Sequence, residues 1–217
     1  MAKSFAAARE RMVERQLRRR GIHDERVLAA MGAVPREQFV PEQVRDRAYD
    51  DSALPIGSEQ TISQPWVVAA ICQALSLQGD EVVLEIGTGS GYSAAVLARL
   101  AREVHSVERI AGLATGAREA LGGLGIENVE VIVGDGSRGL PERAPFNAIA
   151  VHAASPEAPH SLLAQLAEGG RLVVPIATAG ADLLTSFHRE NGGLRQETIG
   201  PCRFVPLIGA EGFDGPG

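Results

Sequence analysis

An acidic side chain stands just ahead of three alternating glycines in Glu85-Ile86-Gly87-Thr88-Gly89-Ser90-Gly91. Glycine serves where a backbone takes positive φ, or passes a ligand with no Cβ in between. A β-type run, 82–86, enters this turn and a helix-forming run, 94–100, leaves it. Such a junction places a nucleotide-like ligand over a strand end and a helix N-terminus. The carboxylate of Glu85 narrows the choice of ligand. A diphosphate is repelled by a neighbouring acid, whereas a cationic nucleoside without phosphate is not. S-adenosyl-L-methionine carries an ammonium and a sulfonium and no phosphate, so it is the expected cofactor. Spacing also disfavours a dehydrogenase, because Gly-x-Gly-x-x-Gly counted from Gly87 needs glycine where Tyr92 stands.

Other groups fall at the following strand ends, where ligands of doubly wound sheets bind. Glu108 closes the next apolar run and suits the ribose hydroxyls. Asp135, between Gly134 and Gly136, suits the adenine amino group. Taken singly, each has a plain alternative: a tight turn, a solvated acid beside Arg109, a Gly-Asp-Gly turn. At successive strand ends they point to one site. Ser63 stands just ahead of Pro65 and is left with two readings. It either caps the helix that Pro65 starts or presents its hydroxyl to a ligand.

The elements that position these residues alternate. Residues 6–20 predict a charged amphipathic helix ended by Gly21, and Asp24 caps a second helix through Met31. Between Pro35 and Pro65 no regular element is expected; such a long irregular stretch is often functional. Pro65 starts a helix to about Leu77. Strands are then expected at 81–86, 103–107, 129–133, 146–151 and 171–175. Helices at 93–101, 111–121 and 159–167 intervene, and Gly169-Gly170 turns into the strand at 171. This rhythm predicts an α/β fold: a doubly wound, mostly parallel sheet with helices on both faces. Segments 183–188, 193–199 and 204–208 are expected as antiparallel edge strands. One domain accounts for residues 1–217, with 1–64 as N-terminal helices and loop and 65–217 as the core.

Composition excludes several classes. The 217 residues are 45% apolar and only 4% aromatic, which predicts a mostly aliphatic core. A net charge of −6 argues against nucleic-acid binding, and the basic run 15–20 is read as a solvated helix face. Cys72 and Cys202 form neither a disulfide framework nor a metal-ligand spacing. No apolar stretch approaches the roughly 18 residues of a membrane span, and no secretory signal is evident. A cytoplasmic location is expected, with no metal and no membrane partner.

On these residues the chain resembles the protein-L-isoaspartate O-methyltransferase family over nearly its whole length, from about Met12 to Gly212. The matching segments include 84–92, 107–110, 134–137, 146–159 and 166–176. More discriminating are residues 48–69, with Leu54-Pro55-Ile56-Gly57 and Gln60-Thr61-Ile62-Ser63-Gln64-Pro65, and the closing segment 202–212. The resemblance implies a Rossmann-like, S-adenosyl-L-methionine-dependent methyltransferase fold with added N-terminal helices; a monomer is expected, although oligomeric state has no signature in the sequence. It implies methyl transfer to the α-carboxylate of isoaspartyl residues in proteins and peptides, an ester that closes to a succinimide, and an active-site serine at Ser63. The acceptor's pKa is near 4, so it is already an anion at neutral pH. No general base is then needed among His23, His105, His152, His160 or His188. Departures from the family's pattern are Glu59 where glycine is usual, His152 where threonine is usual, and Phe213 in place of tryptophan. His152 is read either as a hydrogen-bonded strand end or, when protonated, as a group that helps bind the acceptor carboxylate. Competing functions are a carboxyl methyltransferase of a defined peptide or small molecule and a non-catalytic binding module.

Overall fold

The computed structural model describes residues 4–215. Ser4 accepts a hydrogen bond from the Ala7 amide and opens α1 (Phe5–Met12). Helical winding widens to a π turn over Val13–Leu17 and tightens to a 3-10 turn over Arg18–Arg20. Gly21 ends it at φ 92. Asp24 accepts from the Arg26 and Val27 amides and caps α2 (Glu25–Ala33). That helix runs through Gly32 to Ala33, past the expected Met31.

The stretch from Pro35 to Pro65 is more regular than expected. It holds 3-10 turns at Arg36–Gln38 and Glu42–Arg47 and a hairpin, β1 (Leu54–Gly57) with β2 (Gln60–Ile62). The hairpin escapes sequence reading because its turn residues are Ser58 and Glu59, at φ 51 and 58. Two-residue turns of this hand normally carry Asn-Gly or a similar pair. Pro65 then opens α3 (Pro65–Leu75), which Ser76 stops in a left-handed conformation at φ 52.

The main sheet contains β3 (Val82–Ile86), β4 (Glu103–Glu108), β5 (Val129–Val133), β6 (Phe146–Val151), β7 (Leu166–Ile176), β8 (Asp182–Glu190) and β9 (Gly193–Cys202). Their spatial order is β5-β4-β3-β6-β7-β8-β9. Strands β3 to β7 pair in parallel, while β8 and β9 add an antiparallel edge. Intervening helices are α4 (Tyr92–Leu97), α5 (Ala111–Gly123) and α6 (His160–Ala164). The winding runs outward from β3 through β4 to β5, then restarts at β6 on the other side. The crevice between the C-terminal ends of β3 and β6 is therefore the switch point, where open α/β sheets bind ligands.

Three expectations fail in detail. The helix expected to Ala167 stops at Ala164, and Gly169-Gly170 lie inside β7 rather than before it. There the pairing with β6 jumps from Phe146↔Leu166 to Ala148↔Arg171, so residues 167–170 bulge. Residues 204–208 form no strand; Pro206 makes an isolated parallel bridge to Ala154, and Ile208 one to Phe213. Proline has no N–H for a ladder, which limits this segment to single bridges.

Alternate strand residues feed two cores. Val83, Val104, Ala148 and Val173 pack with α2 to α5, while Leu84, Val107, Ile149 and Leu172 pack under Leu140, Leu162 and Leu207. No helix among the described residues is long and apolar enough to cross a membrane.

Candidate active site

A cleft lies at the switch point, with about 770 Å³ of empty space when its opening to solvent is counted. The glycine loop (Gly87, Thr88, Gly89, Ser90) and residues 60–63 both line it. Glu108, Gly136 and His152 line it from neighbouring strand ends, and residues 205–208 close a further side. Ser63 and the glycine turn thus share one cavity.

Each glycine has its own reason. Gly87 and Gly89 take φ of 90 and 55, which other residues rarely adopt. A Cβ on Gly89 would lie 3.3 Å from Ile56 Cδ1, so this is where the hairpin rests on the loop. Gly91, at φ 89, turns away from the cleft; its Cβ would press on Ala117 of α5 at 3.2 Å. A Cβ on Gly136 would lie 2.5 Å from Ile86 Cγ2, so glycine lets this turn pack against the end of β3.

The acids play different parts. Glu108 is fixed by two amides, with Oε2 accepting from Gly89 N and Oε1 from Ile110 N, both at 2.9 Å. A carboxylate has about four lone-pair directions, so acceptor capacity remains toward the cleft. Asp135 does not line the cleft. Its Oδ1 accepts from Ser137 N at 2.9 Å and Ser137 Oγ at 2.7 Å, and its Oδ2 from Ala210 N at 2.9 Å. Partial burial works to raise its pKa, but the hydrogen bonds from Ala210 and Ser137 prevail and hold it below the ordinary range. An adenine contact from this carboxylate would compete with that network, whereas Gly136 beside it faces the cavity.

Glu85 is fully buried behind the loop. Parallel register sets it opposite Ser106, whose Oγ donates to Glu85 Oε2 at 2.5 Å and meets Thr88 Oγ1 at 2.5 Å. The other oxygen, Oε1, has no hydrogen-bond partner among the described residues and lies 3.4 Å from His152 Nε2. His152 Nε2 is in turn 2.7 Å from Ser93 Oγ. Burial raises Glu85 to about 7 and lowers His152 to about 4. Burial thus favours the neutral imidazole, and the contact with Ser93 Oγ fits the reading of His152 as a hydrogen-bonded strand end.

Ser63 lies between β2 and α3. The N-cap of α3 is Gln64, with no side-chain capping bond, so the capping reading of Ser63 fails. The Ser63 carbonyl accepts from Arg36 Nη2 at 2.8 Å. Sequence reasoning missed Arg36, Ser93 and Ser106. Only the strand register and the path of the irregular N-terminal segment bring them in, and neither leaves a local signal.

Residues 7–212 match the family model described as Protein-L-isoaspartate(D-aspartate) O-methyltransferase. The chain is 58% identical over 214 residues to protein-L-isoaspartate O-methyltransferase 1 of Rhodopseudomonas palustris strain HaA2, spanning 98% of this chain and 87% of that one. It is 52% identical to protein-L-isoaspartate O-methyltransferase 1 of Syntrophobacter fumaroxidans, over 98% and 99% of the two chains. Among solved structures, one titled protein-L-isoaspartate O-methyltransferase superposes with a TM-score of 0.83 at 32% identity, covering 94% of this chain and 67% of that one. A Plasmodium falciparum structure titled as a putative member, in complex with S-adenosyl-L-homocysteine, gives 0.80 at 26% identity, over 92% and 98%.

Proposed function

The chain belongs to the protein-L-isoaspartate(D-aspartate) O-methyltransferase family, and from that premise we propose how its cleft performs the reaction. S-adenosyl-L-methionine donates a methyl group to the α-carboxylate of isoaspartyl residues, which starts their repair, and Ser63 orients that carboxylate. The observation that carries the assignment is the shared cavity, which Ser63 lines together with Gly87, Thr88, Gly89 and Ser90.

The residues present fit the donor. Gly87, Gly89 and Gly136 leave room against backbone where a Cβ would strain or clash. Glu108 offers a fixed carboxylate to ribose hydroxyls, and Glu85 keeps an unpartnered oxygen behind the loop for the charge of the methionine end. When bound, the donor supplies an electrophilic methyl on a sulfonium. The chain's own task is orientation, since well-aligned reactants can gain on the order of 7–11 kcal/mol. The acceptor needs no base because it arrives ionised, and neutral His152 has no proton to remove from it. Ser63 donates one hydrogen bond that replaces lost water without protonating the oxygen. Two cysteines without a disulfide suit a reducing cytoplasm.

Ser63→Ala tests the assignment. The variant is expected to fold and to bind S-adenosyl-L-homocysteine as the parent does. Its turnover with an isoaspartyl peptide is expected to fall on the order of tenfold to a hundredfold. Turnover close to the parent's would reject Ser63.

A further inference from the structure

Arg36 is the one arginine or lysine buried among the described residues, with no exposed surface at all. Its Nε donates to the Ala48 carbonyl at 2.7 Å and its Nη2 to the Ser63 carbonyl at 2.8 Å. The guanidinium carbon stands 4.8 Å over the Tyr92 ring, the first residue of α4 after the glycine loop. Among the described residues no carboxylate pairs with it, and its Nη1 is buried without a hydrogen-bond partner. The adjacent acid, Glu37, instead accepts from the Tyr49 hydroxyl.

Buried charges in proteins are as a rule paired, because desolvating an ion without a counter-charge is costly. A neutral donor would serve for tethering two carbonyls. The full charge is unexplained until an anion is placed in the cleft on the far side of the Ser63 turn. We propose that Arg36 is a positioning residue for the acceptor carboxylate: it fixes the Ser63 turn through the backbone and supplies the positive charge that the anionic substrate balances. The inference rests on the functional reading above.

Two variants and two peptides separate charge from tethering. Arg36→Lys keeps the charge with fewer donors, and Arg36→Gln keeps an N–H donor without the charge. Calorimetry on enzyme saturated with S-adenosyl-L-homocysteine compares an isoaspartyl peptide with its neutral isoasparaginyl isostere. Binding of S-adenosyl-L-homocysteine itself reports an intact fold. Arg36→Gln is expected to weaken the isoaspartyl peptide about tenfold and leave the isostere within about twofold, raising KM. Arg36→Lys is expected to keep most of the preference for the anion and to lose kcat as Ser63 loosens. An unchanged preference in Arg36→Gln overturns the proposal and leaves Arg36 as a tether.

If Arg36→Gln fails to bind S-adenosyl-L-homocysteine, the salt dependence of the parent decides. A buried charge is screened little, so the preference for the anion should change less than about twofold up to about 0.5 M salt. Collapse of that preference assigns it to exposed charges such as Arg109 and overturns the proposal. A parent enzyme that neither binds nor methylates the isoaspartyl peptide sinks the functional reading itself, a result distinct from either outcome for Arg36.

Discussion

Glu85 and His152 meet 3.4 Å apart, and burial opposes the charging of each. The consequences for stability have opposite signs. Glu85 titrates near 7 in the fold against 4.5 when exposed, so between those values the fold keeps a proton that the unfolded chain has lost. Stability from this group is full below about 4.5 and falls as pH rises to about 7. His152 titrates near 4 in the fold against 6.5 when exposed, so the unfolded chain holds the extra proton between them. Its contribution is present above 6.5 and is lost as pH falls toward 4. In the parent the two slopes offset each other across their shared window. Relative to the parent, Glu85→Gln is expected to gain stability as pH rises from about 4.5 to about 7. His152→Thr is expected to lose stability as pH rises from about 4 to about 6.5. Urea unfolding at a series of pH values checks this, and superimposable profiles for the two variants would refute it. Of the acids and glycines expected along the chain, Gly87, Gly89, Glu108 and Gly136 line the cleft, each beside its own turn, whereas Glu85, Gly91 and Asp135 do not. The proton-sharing partners were not legible in the sequence, since Ser106 faces Glu85 only through the register of neighbouring strands.

At the scale of elements, local conformation decides how the walls of the cleft stand. The β1–β2 turn places Ser58 and Glu59 in the left-handed region, at φ 51 and 58, where a Cβ is disfavoured. The double change Ser58→Asn, Glu59→Gly keeps the turn and removes that cost, for a gain of about 1 kcal/mol. Thermal unfolding should then rise by about 2–4 °C. A lower melting temperature would mean that Ser58 or Glu59 makes a stabilising contact. Gly91→Ala has the reverse effect, with a strained φ and a Cβ 3.2 Å from Ala117. A loss on the order of 1–3 kcal/mol is expected, together with weaker binding of S-adenosyl-L-homocysteine as the loop shifts. An unchanged midpoint and affinity would show that α5 yields without cost. The β-α alternation from 82 to 176 was readable because apolar runs and glycines punctuate it. The hairpin was not, because Ser-Glu is no turn signal. The expectation for 204–208 failed because a β-rich composition does not reveal that only isolated bridges are available.

Across the whole molecule, the far end of the chain returns to complete the site. The Ala210 amide donates to Asp135 Oδ2, the Glu211 amide to Ser137 Oγ, and the Ser161 amide to Glu211 Oε2. These bonds hold residues 205–208 as a wall of the cleft, and Asp135 serves as their anchor. Asp135→Ala is expected to release that wall. S-adenosyl-L-homocysteine affinity should fall on the order of tenfold, and limited proteolysis should cut within 203–212 before the core. Retained affinity with no new cleavage would show that the wall stands without its anchor. The overall architecture was legible in the sequence, whereas this closure spans most of the chain and has no local signature.

The cleft is expected to esterify an isoaspartyl carboxylate and to discriminate against ordinary aspartate. Two synthetic peptides identical except for an isoaspartyl or a normal aspartyl linkage, each incubated with enzyme and S-adenosyl-L-methionine, test it when methyl ester and succinimide are followed by mass spectrometry. Products are expected from the isoaspartyl peptide, at a rate on the order of a hundredfold or more above its normal twin. Equal esterification of both peptides, or of neither, would contradict that expectation.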